Sequence, residues 1–489
     1  MNLTKKEKFS FGFGALGKDA ICCFVGNFLM FYFTDVLFLA PAFVGTLFFV
    51  ARIWDAINDP MMGLVVDNTH NRFGKFRTWL LVGTLLNAVV FFAMFNTFGL
   101  HGKALYIYVS IAYILYGMTY TIMDVPYWSW LPNLTNDPHE RESVSVIPRF
   151  FASLAGFSIG VFGLSMINGM DKIFGNGDRT AGFRMVALVI SILFVFTISV
   201  TIINVKEKVT EKAAEHTSFK QIINILFKNK QLIAYIGLLL AYNLCMQIVN
   251  GIIIYYFKYV AGKEGLFSIF SVCILAEMGG LVVFPKIVKK LGREKMFAMA
   301  CTFPIIGLII IAVAGFVAPT NPLFVILGAG ILKLGSGFEL GVVTVCIADV
   351  IDYNELLFGT RNESIICSTQ TFLMKASQAV SGLLTGVGLA MVGYNASLPQ
   401  QSTATLNGIR IIMIVIPMVF AVISYLIYAK AYKLKGDFMK SKALKTETLA
   451  NSMELPAESF KKETHIEVCG SSKCVVEGLE CIEKYTPDS

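Results

Sequence analysis

The sequence predicts an all-α membrane protein of twelve transmembrane helices arranged as two six-helix halves. Three observations predict it: a composition too apolar for a soluble chain, apolar runs of about twenty residues or more, and a short motif that recurs half a chain apart. Of 489 residues, 55% are hydrophobic and 15% are charged, against about 25% charged in soluble domains. A soluble core cannot absorb that excess. The same composition excludes a disordered chain or a disulfide scaffold for the bulk of the protein.

Apolar segments fall near 9–38, 41–66, 78–99, 104–131, 145–170, 182–205, 231–260, 265–288, 294–318, 322–351, 364–394 and 406–434. They are read as helices because hydrocarbon offers no partner to backbone N–H and C=O groups, which must then be satisfied within the segment. The basic start MNLTKKEK precedes an apolar stretch too long for a signal-peptide core, so it is read as the approach to a first span. Basic residues set the orientation. Lys5, Lys6 and Lys8, then Arg72, Lys75 and Arg77, then Lys206 through Lys230, Lys286 through Lys295 and Lys430 through Lys445 fall on one side. The opposite connections at 39–42, 319–322 and 395–407 carry almost none, so both termini are expected in the cytoplasm. The net charge of +8 is therefore an orientation signal, and no nucleic-acid partner is expected.

Two features divide the chain into 1–205, a central cytoplasmic loop 206–230, 231–434, and a polar tail 435–489 that is expected to be mostly disordered. The loop is the longest internal polar stretch. The motif is Gly63-Leu64-Val65-Val66 ahead of Gly74-Lys75-Phe76-Arg77, repeated as Gly280-Leu281-Val282-Val283 ahead of Gly292-Arg293-Glu294-Lys295. Each copy follows an even-numbered span, which describes parallel repeats and hence the major facilitator fold, with a site between the halves near mid-membrane. The glycine and basic residues read as a cytoplasmic hinge or, more simply, as a positively charged turn. Seven of the ten cysteines lie in or beside apolar segments. Cys469, Cys474 and Cys481 lie in the tail, where their spacing fits no familiar zinc pattern and no metal site is expected.

Ionisable residues inside spans are costly and mark function by default. They are Lys18 and Asp19 in span one, Arg52, Asp55 and Asp59 in span two, Asp124 in span four and Arg149 behind Pro148 in span five. The second half adds Lys333, Glu339, Asp349, Asp352 and Lys375, of which the first two are left unassigned. Asp55, Asn58 and Asp59 stand at i, i+3 and i+4, so three oxygen-bearing side chains share one helix face. Such a face suits a hard cation, Na⁺ or H⁺ rather than a transition metal. Thr121, Asp124 and Trp128 form a second stripe that suits a sugar, the carboxylate for hydroxyls and the ring for an apolar face, with Arg149 and Lys18 as further donors. The plainer alternatives are structural ion pairs, Arg52 with Asp55 or Asp59 and Lys18 with Asp19 or Asp124. For Tyr120 and Trp128 the alternative is interfacial anchoring, because Pro126 and Trp130 suggest a helix end. No zinc-protease helix motif, nucleophile elbow or phosphate loop is present, so no enzyme is expected. A membrane sensor that binds a sugar without moving it is the competing class.

At these residues the chain resembles the glycoside-pentoside-hexuronide:cation symporters, a family of the major facilitator superfamily. The matching text is FGFGALGKDA at 11–20, GTLFFVARIWDAINDPMMG at 45–63, RFGKFRTW at 72–79, YGMTYTIMDVPYWS at 116–129 and PRFFASLAGF at 148–157. IADVIDYNE at 347–355, RNESI at 361–365 and QTFLMK at 370–375 match too, so the likeness spans roughly 9–435. It implies sodium-coupled import of a galactoside such as melibiose across a bacterial inner membrane by alternating access, with Li⁺ or H⁺ as other coupling ions. Another glycoside, a glucuronide or a pentoside stays open. It implies cation ligation by Asp55, Asn58, Asp59 and Thr121, and sugar contacts from Lys18, Asp19, Tyr120, Asp124, Trp128 and Arg149, with Thr371 and Lys375 facing them. Arg141, Asp349, Asp352 and Arg361 would form cytoplasmic gating pairs. The partners are then a glycoside, a monovalent cation and the bilayer, with no cofactor beyond the transported ion and no identified cytoplasmic regulator. Leu340 stands where relatives carry an aromatic, so the sugar-facing wall there differs, and the amide of Asn58 favours Na⁺ over strict H⁺ coupling.

Overall fold

A computed structural model of the chain describes residues 3–69, 72–135, 138–175, 179–207, 228–358, 363–398 and 400–434. These residues contain no strand and form twelve long helical runs. The first half is α1 Lys5–Val36, α2 Pro41–Asp67, α3 Lys75–Met94, α4 Gly102–Trp130, α5 Pro138–Phe174 and α6 Arg179–Asn204. The second is α7 Lys230–Val260, α8 Leu266–Leu291, α9 Arg293–Val317, α10 Pro322–Phe358, α11 Glu363–Met391 and α12 Thr403–Lys430. The central loop beyond 207 and the cysteine-bearing tail lie outside the described residues.

Local chemistry explains where several helices start. Thr4 accepts from the Glu7 N–H at 3.2 Å while the Glu7 carboxylate takes the Thr4 N–H at 2.8 Å, a reciprocal cap that opens α1. Asn229 opens α7 by accepting from Gln231 N at 3.1 Å and Leu232 N at 2.9 Å. Pro41 sits in the first turn of α2, where its missing N–H costs nothing. The helices α5 and α10, each 37 residues, run about seven residues past the ends expected from hydropathy, both at the termini-bearing end of the bundle.

Ten of the twelve are long and apolar enough to cross a membrane. The other two are α2, which carries Arg52, Asp55 and Asp59, and α11, which carries Lys375. These two polar helices pack on each other across the halves, which lets their charges meet one another. Their crossing needs glycine: a Cβ on Gly386 would lie 2.4 Å from the Pro41 carbonyl oxygen and 2.7 Å from Gly45 Cα.

The recurring motif has a recurring shape. Gly74 (φ 96°, ψ 148°) caps α3 and Gly292 (φ 81°, ψ 161°) caps α9, the third helix of each half, in a region that side chains with a Cβ disfavour. At Gly74 the Glu207 carboxylate closes the start of α3, accepting from Lys75 N at 2.9 Å and Phe76 N at 3.1 Å, an anion at the positive end of a helix. The first helix of each half also ends alike, in π turns at Tyr32–Val36 and Tyr256–Val260.

Candidate functional site

The α1 face brings Lys18 between two carboxylates, 3.2 Å from Asp19 and 2.8 Å from Asp124 of α4. Its side chain is only 2% exposed, and its ammonium lies 5.1 Å from the Trp128 ring centroid, 5.6 Å from Tyr127 and 5.9 Å from Tyr120. A buried ammonium needs this company: two opposite charges and aromatic faces that attract a cation. One oxygen of Asp19, Oδ2, is buried with no hydrogen-bond partner, so this cluster keeps an unused acceptor.

The second cluster lies on α2. Asp55 is buried and pairs with Arg52 at 3.0 Å, one turn away on the same helix. It fits against α4 because residue 117 is glycine: a Cβ there would meet Asp55 Oδ1 at 2.6 Å. Asp59 accepts from the Thr121 hydroxyl at 2.9 Å through Oδ1, and its Oδ2 pairs with Lys375, which reaches across from α11. The amide nitrogen of Asn58, between the two acids, is buried without a partner. Two carboxylates, an amide oxygen and a hydroxyl are hard donors of the kind alkali cations prefer. The clusters share α4: Thr121 and Asp124 are three residues apart, about 4.5 Å along the axis.

The structure thus forms both ion pairs that the plainer sequence reading allowed, Arg52 with Asp55 and Lys18 with both its acids. Other expected site residues stand apart from the Lys18 cluster. Arg149 was expected to offset the acids beside Lys18, but its side chain is exposed on α5 and makes no ion pair among the described residues. Lys375, expected among the sugar contacts, places its ammonium on Asp59, where α11 crosses α2. The helix end that Pro126 and Trp130 suggest is there, since α4 stops at Trp130, yet the Tyr120 and Trp128 rings face Lys18. Asp349 pairs at 2.6 Å with Arg293, inside the second half, and Asp352 follows three residues on along α10. Arg361 and the side chains of Arg141 and Thr371 lie outside the described residues. Leu340 is 42% exposed. Lys333 pairs with Glu277 at 3.2 Å, and Glu339 is buried with Oε1 unpartnered.

Sequence reasoning missed Asp35 altogether. Its side chain is fully buried and joins α1 to Lys258, Tyr259 and Tyr394 of the second half. The one available signal was an acid in the final turn of a membrane span.

Residues 10–436 match the family described as MFS/sugar transport protein. The chain belongs to this family of transporters. Among its relatives, a putative glycoside/cation symporter of Escherichia coli, YagG, is 31% identical over 431 residues, which cover 85% of this chain and 89% of that protein. An isoprimeverose transporter of Lactiplantibacillus pentosus is 30% identical over 84% of this chain and 85% of its own length. A lactose permease of Lactobacillus helveticus is 27% identical over 86% of this chain and 68% of that protein. The crystal structure of the nucleoside transporter NupG superposes with a TM-score of 0.62 over 86% of this chain and 98% of that one. At 12% identity, that likeness speaks for the fold alone. The transporter is therefore an all-α protein of the major facilitator fold, and not an enzyme.

Proposed function

We propose that this transporter is a sodium-coupled symporter, with Li⁺ or H⁺ as alternative coupling ions, that imports a galactoside such as melibiose across a bacterial inner membrane. Both termini face the cytoplasm in this reading. Asp55, Asn58, Asp59 and Thr121 hold the cation, which displaces the Lys375 ammonium from Asp59. Asp19, Asp124, Tyr120 and Trp128 form the sugar site around Lys18, with Arg149, Thr371 and the released Lys375 joining when the halves rearrange. Arg141, Asp349, Asp352 and Arg361 exchange partners as the cytoplasmic end opens and closes.

The observation that carries the reading is the Thr121 to Asp59 hydrogen bond. It ties the acidic face of α2 to the helix whose next turn presents Asp124. A cation that settles Asp59 and Thr121 also fixes the register of α4, and so favours the arrangement that binds sugar. Such coupling must be reciprocal, at a typical strength of about 5- to 150-fold. The test is sugar affinity of purified protein with and without Na⁺, together with the Asp59→Cys and Asp124→Cys variants. Asp59→Cys should remove the Na⁺ effect and Asp124→Cys should remove sugar binding. No Na⁺ or Li⁺ effect, and no H⁺ movement with sugar, would sink the proposal.

One observation favours a different glycoside: Leu340 replaces a wall residue that is aromatic in the resembled family, and relatives are named for isoprimeverose, lactose and raffinose. A competition panel of melibiose and these three sugars against one labelled galactoside decides between them. Accumulation in proteoliposomes separates transport from mere sugar sensing.

A further inference from the structure

Asp35 has an unusual set of partners for an acid in no recognised role. Its side chain is 0% exposed and accepts from Lys258 Nζ at 2.6 Å, Tyr259 OH at 2.5 Å and Tyr394 OH at 2.7 Å. Thr34 Oγ1 lies 2.9 Å from the same carboxylate and 2.7 Å from the Tyr255 hydroxyl, while the Tyr394 and Tyr259 hydroxyl oxygens, each already donating to Asp35, lie 3.0 Å apart. The acid belongs to the first half and its distant donors all belong to the second, 223 to 359 residues away. Burial, and then the Asp35 charge, push the Tyr394 phenol far above its ordinary range, so it stays a donor. We propose that Asp35, Lys258, Tyr259 and Tyr394 form a latch that closes the two halves together at the end of the bundle bearing the α1–α2 connection.

The backbone supports a dedicated device. Asp35 sits in the π turn that ends α1, and Lys258 and Tyr259 sit in the π turn that ends α7, so the same irregularity occurs at the same place in both halves. A π turn inserts one extra residue and re-aims the side chains that follow, which is why such turns gather at functional positions. Further ties between the halves lie at this end: Arg179 meets Glu264 at 2.9 Å, and the Phe28 and Phe267 rings are 5.4 Å apart. At the opposite end, Arg293 with Asp349 joins groups within the second half, and Glu207, at the start of the central loop, caps α3 of the half it follows. A buried carboxylate is tolerable only while its donors stay in place, so the network favours the closed arrangement and its loss favours the open one. The latch stands whichever sugar or ion is carried, and whichever way the protein faces.

Spin labels on cysteines replacing Lys103, in the first turn of α4, and Lys263, in the α7–α8 connection, report this end from exposed positions on each half. In full-length protein with native cysteines replaced, Asp35→Asn should raise the population of a longer label-to-label distance roughly tenfold or more. Tyr394→Phe, which removes one donor and keeps the ring, should raise it less. If Asp35→Asn does not fold, Tyr259→Phe combined with Tyr394→Phe carries the test. Distance distributions identical to those of the parent protein in the folded variants overturn the proposal.

Discussion

Replacing Gly117 with Ala probes the cation cluster through a single methyl group. The new Cβ would stand 2.6 Å from Asp55 Oδ1, whereas ordinary contact begins near 3.4 Å, so the carboxylate must retreat by about 0.8 Å. It has little room: Asp55 is 6% exposed and is held by Arg52 at 3.0 Å. Overpacking of this kind costs about 1–3 kcal/mol, equivalent to a roughly 5- to 150-fold weakening when the displaced group is a ligand. The assay is a Na⁺ titration of sugar affinity on purified protein, with thermal unfolding beside it. Gly63→Ala is the control, since the same methyl on α2 meets nothing within 4 Å and adds about 1 kcal/mol of helix propensity. Gly117→Ala with an unaltered Na⁺ dependence would refute the placement of Asp55 among the cation ligands.

Lys18→Met should leave Asp19 and Asp124 facing each other without a counter-charge, at a cost of about 3–5 kcal/mol; thermal unfolding should show the loss, and adding Asp124→Asn should restore part of it. Absence of that rescue would mean that Lys18 stabilises through packing alone. Gly386→Val should wedge α2 from α11, because its Cβ falls on the Pro41 carbonyl, and initial uptake rates at matched expression should drop roughly tenfold or more. Wild-type uptake would show that the crossing tolerates separation. Glu207→Ala should lower stability by about 1 kcal/mol and Glu207→Gln by less, since Gln keeps an acceptor but not the charge at the start of α3; equal melting temperatures in all three proteins would contradict the capping role.

The spans were legible because hydrocarbon leaves a twenty-residue apolar run few alternatives, and every expected span has its helix. The α2 face was legible for a related reason, since i, i+3 and i+4 spacing alone puts Asp55, Asn58 and Asp59 together. Lys375 on Asp59 was not, because residues 316 apart meet only through the crossing of α2 with α11, which two glycines permit and no periodicity announces. The Asp35 network was hidden for the same reason and one more: a single acid at the end of a span reads as solvated until its partners are known. The exposed position of Arg149 was not legible either, because the direction of a charge beside a helical proline is not encoded in sequence spacing.

The pairing of Asp59 with Lys375 also has a place in time. At about 5–20 residues per second, the ribosome adds the 316 residues between them in roughly 15 to 60 s, and α2 enters the membrane long before α11 exists. During that interval its acids depend on neighbours already made. Arg52 is available to Asp55 at once, and Thr121 reaches Asp59 only 62 residues later. The first half thus shelters its own charges while the chain is still growing, and the lysine that spans the halves is a late arrival.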